Sequence, residues 1–132
     1  KGCIGGSSIV QGYFPDEQQE DKVTIDVVKL DDYLQQKAIT NISMIKIDTQ
    51  GYELPIIRGA LGYLRANRDN LPMIICEVSP HAFSLVNSSL DDFGNMMKEL
   101  GYEPFCICGR HRIKLEKIQT LYRDVLFKPK RK

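Results

Sequence analysis

The densest chemistry in this sequence runs Ile45-Lys46-Ile47-Asp48-Thr49-Gln50-Gly51-Tyr52-Glu53 and closes with Arg58-Gly59-Ala60. A short apolar run delivers Asp48 to a strand tip, Gly51 permits a sharp turn, and Glu53 opens the helix that follows. Carboxylates five residues apart across such a turn can face one pocket, where they hold a cation, a hydroxyl or a proton. The same residues also have a plain structural reading. Glu53 then complements a helix N-terminus, and Asp48 accepts local backbone hydrogen bonds. Another carboxylate, Glu77, closes a second apolar run, and His81 follows just after Pro80. An imidazole titrates near neutrality, so His81 suits a base or a substrate contact, or a solvated surface position.

Two other patterns point elsewhere. Asp48-Thr49-Gln50-Gly51 fits the D-x-x-G of GTPases, but that reading requires a G-x-x-x-x-G-K-[ST] loop, which the chain lacks. Cys106, Cys108 and His111 place two thiols and an imidazole close together, as zinc sites do. A fourth ligand is not evident, and Cys106 and Cys108 share one face of a strand, which packing explains. The four cysteines (Cys3 and Cys76 are the others) read as reduced thiols of an intracellular, cytoplasmic protein, with two disulfides as the alternative.

The elements that must position these groups follow from periodicity. Residues 1–21 have loop composition, with one short strand expected around Ile9. Val23 to Leu30 is rich in β-branched residues and reads as a strand, followed by a short helix capped by Asp31 or Asp32. Ile42 to Asp48 and Met73 to Val78 read as buried strands of a parallel sheet. Between them, Ile56, Ile57, Ala60, Leu61 and Leu64 mark one helix with Pro55 in its first turn. Ser88 or Ser89 caps a further helix striped by Leu90, Phe93, Met97 and Leu100 and ended by Gly101. Tyr102 to Cys108 and Asp124 to Lys128, separated by a turn near Gly109-Arg110, are expected to close the sheet edge as an antiparallel pair. The basic tail after Lys128 reads as solvated. Alternation of this kind implies an α/β sheet with right-handed crossovers, whose ligands bind off the strand carboxyl ends. Asp48 and Glu77 both sit there.

Several of these motifs, in this order, resemble the FkbM methyltransferase family. KIDTQGYELPIIRGA resembles its K-I-D-x-x-G-x-E strand-turn-helix followed by R-G-A. Leu30-Asp31-Asp32, Ile75-Cys76-Glu77, Leu100-Gly101-Tyr102 and Val125-Leu126-Phe127 resemble its L-D-D, I-x-E, L-G-Y and closing strand. The resemblance implies a Rossmann-like class I sheet and S-adenosylmethionine-dependent O-methylation of a sugar or other small hydroxylated metabolite. It places Asp48 at the reacting centre as cofactor orienter or base, Glu77 at the neighbouring strand tip, and Glu53 in support of the turn. Gln50, Glu53 and His81 are then the expected substrate contacts. The family's Gly-rich cofactor turn has no counterpart here, because no apolar strand precedes Gly2-Cys3-Ile4-Gly5-Gly6. Residues 1–132 thus read as one partial domain, the C-terminal half. It lacks the main S-adenosylmethionine motif, is inactive alone, and exposes a sheet edge prone to self-association. The alternative is a non-catalytic half-domain that serves as an association module.

Composition sets the outer limits. Hydrophobic residues are 42% and charged residues 27%, as in an ordinary globular domain. A net charge of +1 gives no general field for nucleic acid or an anionic membrane. No apolar run nears the roughly 20 residues of a bilayer span.

Overall fold

In the computed structural model, residues 24–49, 51–108, 111–116, 118 and 123–130 are described. Their order is α1 (Leu30–Gln36), β1 (Met44–Ile47), α2 (Glu53–Arg58), α3 (Leu61–Ala66), β2 (Met73–Val78), α4 (Pro80–Leu85), α5 (Leu90–Glu99), β3 (Tyr102–Cys108), β4 (His111–Lys114) and β5 (Arg123–Pro129). The expectations for Ile9, the Gly109-Arg110 turn and Gln50 lie outside the described residues.

The strands form one mixed sheet in the order β1-β2-β5-β3-β4. β1 and β2 are parallel, with Ile47 opposite Cys76. β5 runs antiparallel to both β2 and β3, so β3 is parallel to β2. The chain therefore steps twice in one direction, β1 to β2 through α2 and α3, then β2 to β3 through α4 and α5. Right-handed crossovers in one direction put their helices on one face. The core lies there: Ile47, Ile74, Cys76, Val78, Val125 and Phe127 from the sheet pack with Leu54, Ile57, Leu64, Phe83, Phe93 and Met97 from the helices. The Phe93 ring meets Phe83 at 5.2 Å and Phe127 edge-on at 5.5 Å between centroids, favourable aromatic geometry. The second crossover skips one position, and β5 fills it. This is a mixed α/β sheet of the Rossmann-like kind.

Three expectations need correction. Residues 24–29 form no strand, and Ile25, Val27 and Val28 are exposed. β-branched residues favour extended backbone, but a strand also needs a paired edge. The single helix carrying Ile56 to Leu64 is two, broken at Gly59-Ala60. Asp31 explains the break. Its carboxylate accepts from the Gly62 and Tyr63 amides at 2.8 Å each, and its own amide donates to the Gly59 carbonyl at 2.8 Å. A residue of α1 thus caps α3, whose own N-cap, Ala60, has no side-chain acceptor. Third, the closing strands pair antiparallel as expected, but β5 is interior and β4 holds the edge against β3. Two elements, α4 and β4, have no sequence-level counterpart above. α4 had a readable signal in Ser79-Pro80, since proline is favoured at a first helical position.

The expectations for β2 and α5 hold. Met73–Val78 is a strand over its whole predicted length. The Ser89 hydroxyl accepts from the Asp92 amide at 3.0 Å and caps α5, and Gly101 ends it at φ +94°. Cys76 and Cys106 are buried. No helix of the described residues is long and apolar enough to cross a membrane.

Candidate functional site at the strand tips

The site begins with alternation along β1 and β2. Ile47 and Cys76 point into the core, so their successors Asp48 and Glu77 fall on the opposite face. Ile47, opposite Cys76, is the last residue of β1, so Asp48 follows that strand directly while Glu77 lies on its neighbour β2. Glu77 is paired in turn with Asp124 of β5. Asp48, just past the tip of β1, Glu77 on β2 and Asp124 on β5 thus make one row, with Glu77 and Asp124 a strand spacing of about 5 Å apart. The row lies at the carboxyl ends of β1 and β2, where ligands of such sheets bind.

Lys46 lies on the same face, two residues before Asp48. Its Nζ donates to Asp48 Oδ2 at 2.7 Å. That hydrogen bond and the Asp48 charge, followed by Asp124 and Glu77, hold the ammonium above its ordinary pKa. Lys46 is thus hydrogen-bonded to Asp48 and lies within the field of Asp124 and Glu77.

Glu53 faces the other way. It is buried in the first turn of α2, and its Oε1 accepts from the Gly51 amide at 3.0 Å, the Thr49 hydroxyl at 3.2 Å and the Thr49 amide at 3.3 Å. Gly51 itself adopts φ +111°, a conformation that glycine takes without strain. The carboxylate therefore ties down the β1–α2 turn from inside. Its Oε2 is buried without a hydrogen-bond partner among the described residues.

His81 is exposed in the first turn of α4, immediately beyond β2, and its carbonyl accepts from the Ser84 hydroxyl at 2.7 Å. The structure thus brings Asp48 and Glu77 together, seats Glu53 behind the turn, and sets His81 on the helix that leaves β2. Sequence reasoning missed Asp124 and Lys46. Asp124 had no local signal, since only the antiparallel insertion of β5 brings it beside Glu77. Lys46 did have one, its two-residue spacing from Asp48 on a predicted strand.

Burial pushes the Cys76 thiol up, with the charges of Glu53, Asp124, Glu77 and Asp48 adding to it. That sulfur is a packed core atom. Among the described residues, no three His, Cys, Asp or Glu side chains converge closely enough to hold a metal ion. Two shallow hollows lie elsewhere, one between α1 and α3 near Leu34 and Tyr63, the other near Arg65, Arg68 and Met96.

A family model described as Methyltransferase FkbM domain matches residues 4–104. The match contains α1, the β1 turn, β2 and α5, and so takes in Asp48, Glu53, Glu77 and His81. No curated protein and no solved structure matches the chain. With most of its length inside that match, and with Asp48 and Glu77 side by side at the strand tips of an α/β sheet, the chain belongs to the FkbM methyltransferase family.

Proposed function

We propose that this chain is the C-terminal half of an FkbM-type domain that methylates a hydroxyl of a sugar or another small hydroxylated metabolite. The observation that carries this reading is the juxtaposition of Asp48 and Glu77 at neighbouring strand tips, inside the segment matched by the family. Membership implies S-adenosylmethionine as donor, and the donor set fits one end of it: a sulfonium cation suits a row of carboxylates. That cofactor supplies an electrophilic methyl group.

Asp48 accepts the proton of the attacking hydroxyl, a transfer its place at the solvent-facing strand tip permits. Glu77 orients the acceptor through a second hydroxyl. Gln50 and His81, which flank the row in sequence, are the remaining candidate contacts. Glu53 acts through the turn that sets Asp48 in place.

Two measurements test this. Calorimetric titration of S-adenosylhomocysteine into the 132-residue chain should show no heat at millimolar ligand while circular dichroism shows a folded protein. Micromolar binding would contradict the half-domain reading. In the full-length protein, transfer of labelled methyl from S-adenosylmethionine to hexoses and their methyl glycosides should be lost in Asp48→Asn with the melting temperature unchanged. Near-normal turnover in that variant removes Asp48 from the mechanism.

A second reading has an observation of its own. Met44 on the outer strand β1 and Ile25, Val27 and Val28 ahead of α1 are exposed apolar residues, as surfaces used for association are. On that reading the chain is a non-catalytic module and its carboxylates are structural. Full activity of the Asp48→Asn protein in association, with no transfer by either protein, would favour it.

A further inference from the structure

We infer that Lys46 is a positioning residue for Asp48, holding its carboxylate ionised and aimed along the row; this rests on the role proposed for Asp48 above. Alternation on β1 puts Lys46 and Asp48 on one face, and the 2.7 Å contact joins them. Lys46 of β1 feels Asp48 first, then Asp124 of β5 and Glu77 of β2, while Glu53 of α2 lies on the core side near Cys76. Two neighbouring carboxylates favour protonation of Asp48 and push its side chain out of the row. Lys46 opposes both effects. Its ammonium is held in the charged form by the same neighbours, so it is a poor proton acceptor and a good fixed cation.

The pair is solvent-exposed, with 60% and 43% of the two side chains accessible. Exposed pairs add little to stability. The consequence of this one is therefore local: where the Asp48 oxygens sit and whether they carry a proton.

The test uses Lys46→Met and Lys46→Arg with two readouts. The first is a carboxyl 13C NMR titration of Asp48 in this chain, which needs neither cofactor nor acceptor. The Asp48 midpoint should move up in Lys46→Met and return toward the wild-type value in Lys46→Arg. The second is methyl transfer to the hexoside acceptors in the full-length protein. There Lys46→Met should lower kcat roughly tenfold or more with KM for S-adenosylmethionine within about threefold, and should move the acidic limb of the pH profile upward. An Asp48 midpoint unchanged in Lys46→Met overturns the inference, whatever the kinetics show. If Asp48→Asn is inactive while Lys46→Met matches wild type in both readouts, the role of Asp48 stands and that of Lys46 falls. If Asp48→Asn is active, the functional reading itself fails, and the two failures are distinguished.

Discussion

At the scale of single residues, Glu53 shows how one motif position can organise another. Its buried Oε1 gathers the donors of Thr49 and Gly51, and the turn so formed directly follows Asp48. Deleting the side chain leaves two amides and a hydroxyl short of an acceptor, at about 1–3 kcal/mol for each group truly denied water. The orphaned Oε2 offsets part of that, because its removal relieves a buried unpaired oxygen. Glu53→Ala should therefore cost about 2–4 kcal/mol in urea unfolding, and Glu53→Gln, which keeps the accepting oxygen, about 1 kcal/mol. Amide exchange at Thr49 and Gly51 should quicken in the alanine variant. An alanine variant within about 0.5 kcal/mol of wild type would deny Glu53 its hold on the turn.

At the scale of elements, the tie between α1 and α3 explains two motifs at once. Asp31 of Leu30-Asp31-Asp32 caps the helix that begins just after Arg58-Gly59-Ala60, and Gly62 leaves room for it. A Cβ at Gly62 would lie 2.7 Å from Asp31 Oδ2, so Gly62→Ala must displace the carboxylate. Asp31→Ala should cost about 1–2 kcal/mol, the usual worth of a cap. Gly62→Ala should be neutral or mildly destabilising alone, since the cap is lost while helix propensity gains up to about 1 kcal/mol. In the Asp31→Ala background the same change should stabilise by about 0.5–1 kcal/mol. The coupling is the test, read by chemical denaturation of all four proteins. Simple additivity would mean that methyl and cap coexist.

At the scale of the whole molecule, two buried acids link the core to pH. Tyr102 is buried, its hydroxyl donating to the Pro72 carbonyl at 2.9 Å. Burial pushes both this phenol and the Cys76 thiol above their ordinary values of 10.0 and 9.0. The unfolded chain therefore releases these protons first, and a group raised in the folded state loses its stabilising effect as pH rises. Stability should be level below about pH 9 as far as these two are concerned. It should then fall by up to about 1.4 kcal/mol per pH unit for each group once its ordinary value is passed. Melting temperatures between pH 8 and 11 would show this, and Cys76→Ala should remove the part that sets in first. A flat profile in wild type would mean that the core admits both anions.

Much of this protein was determined locally. Gly101 at a helix end, Ser89 at a helix start and the apolar alternation of Met73–Val78 are read from neighbours in sequence, because capping and period are set within one turn or one strand. The strand-turn-helix carrying Asp48, Gly51 and Glu53 was legible for the same reason, and with it half of the candidate site. What no local pattern contains is pairing. Thr24 to Lys29 has the composition of a strand and no paired edge among the described residues. The helix after β1 breaks in two because Asp31 arrives from another element. Asp124 joins Glu77 and Asp48 only because β5 enters the sheet antiparallel, in the gap that the second crossover leaves. Sequence determined the segments whose signals are local, β2, α5 and the strand-turn-helix at Asp48 among them. Register and strand order, set by contacts between residues far apart in the chain, decided which carboxylates became neighbours.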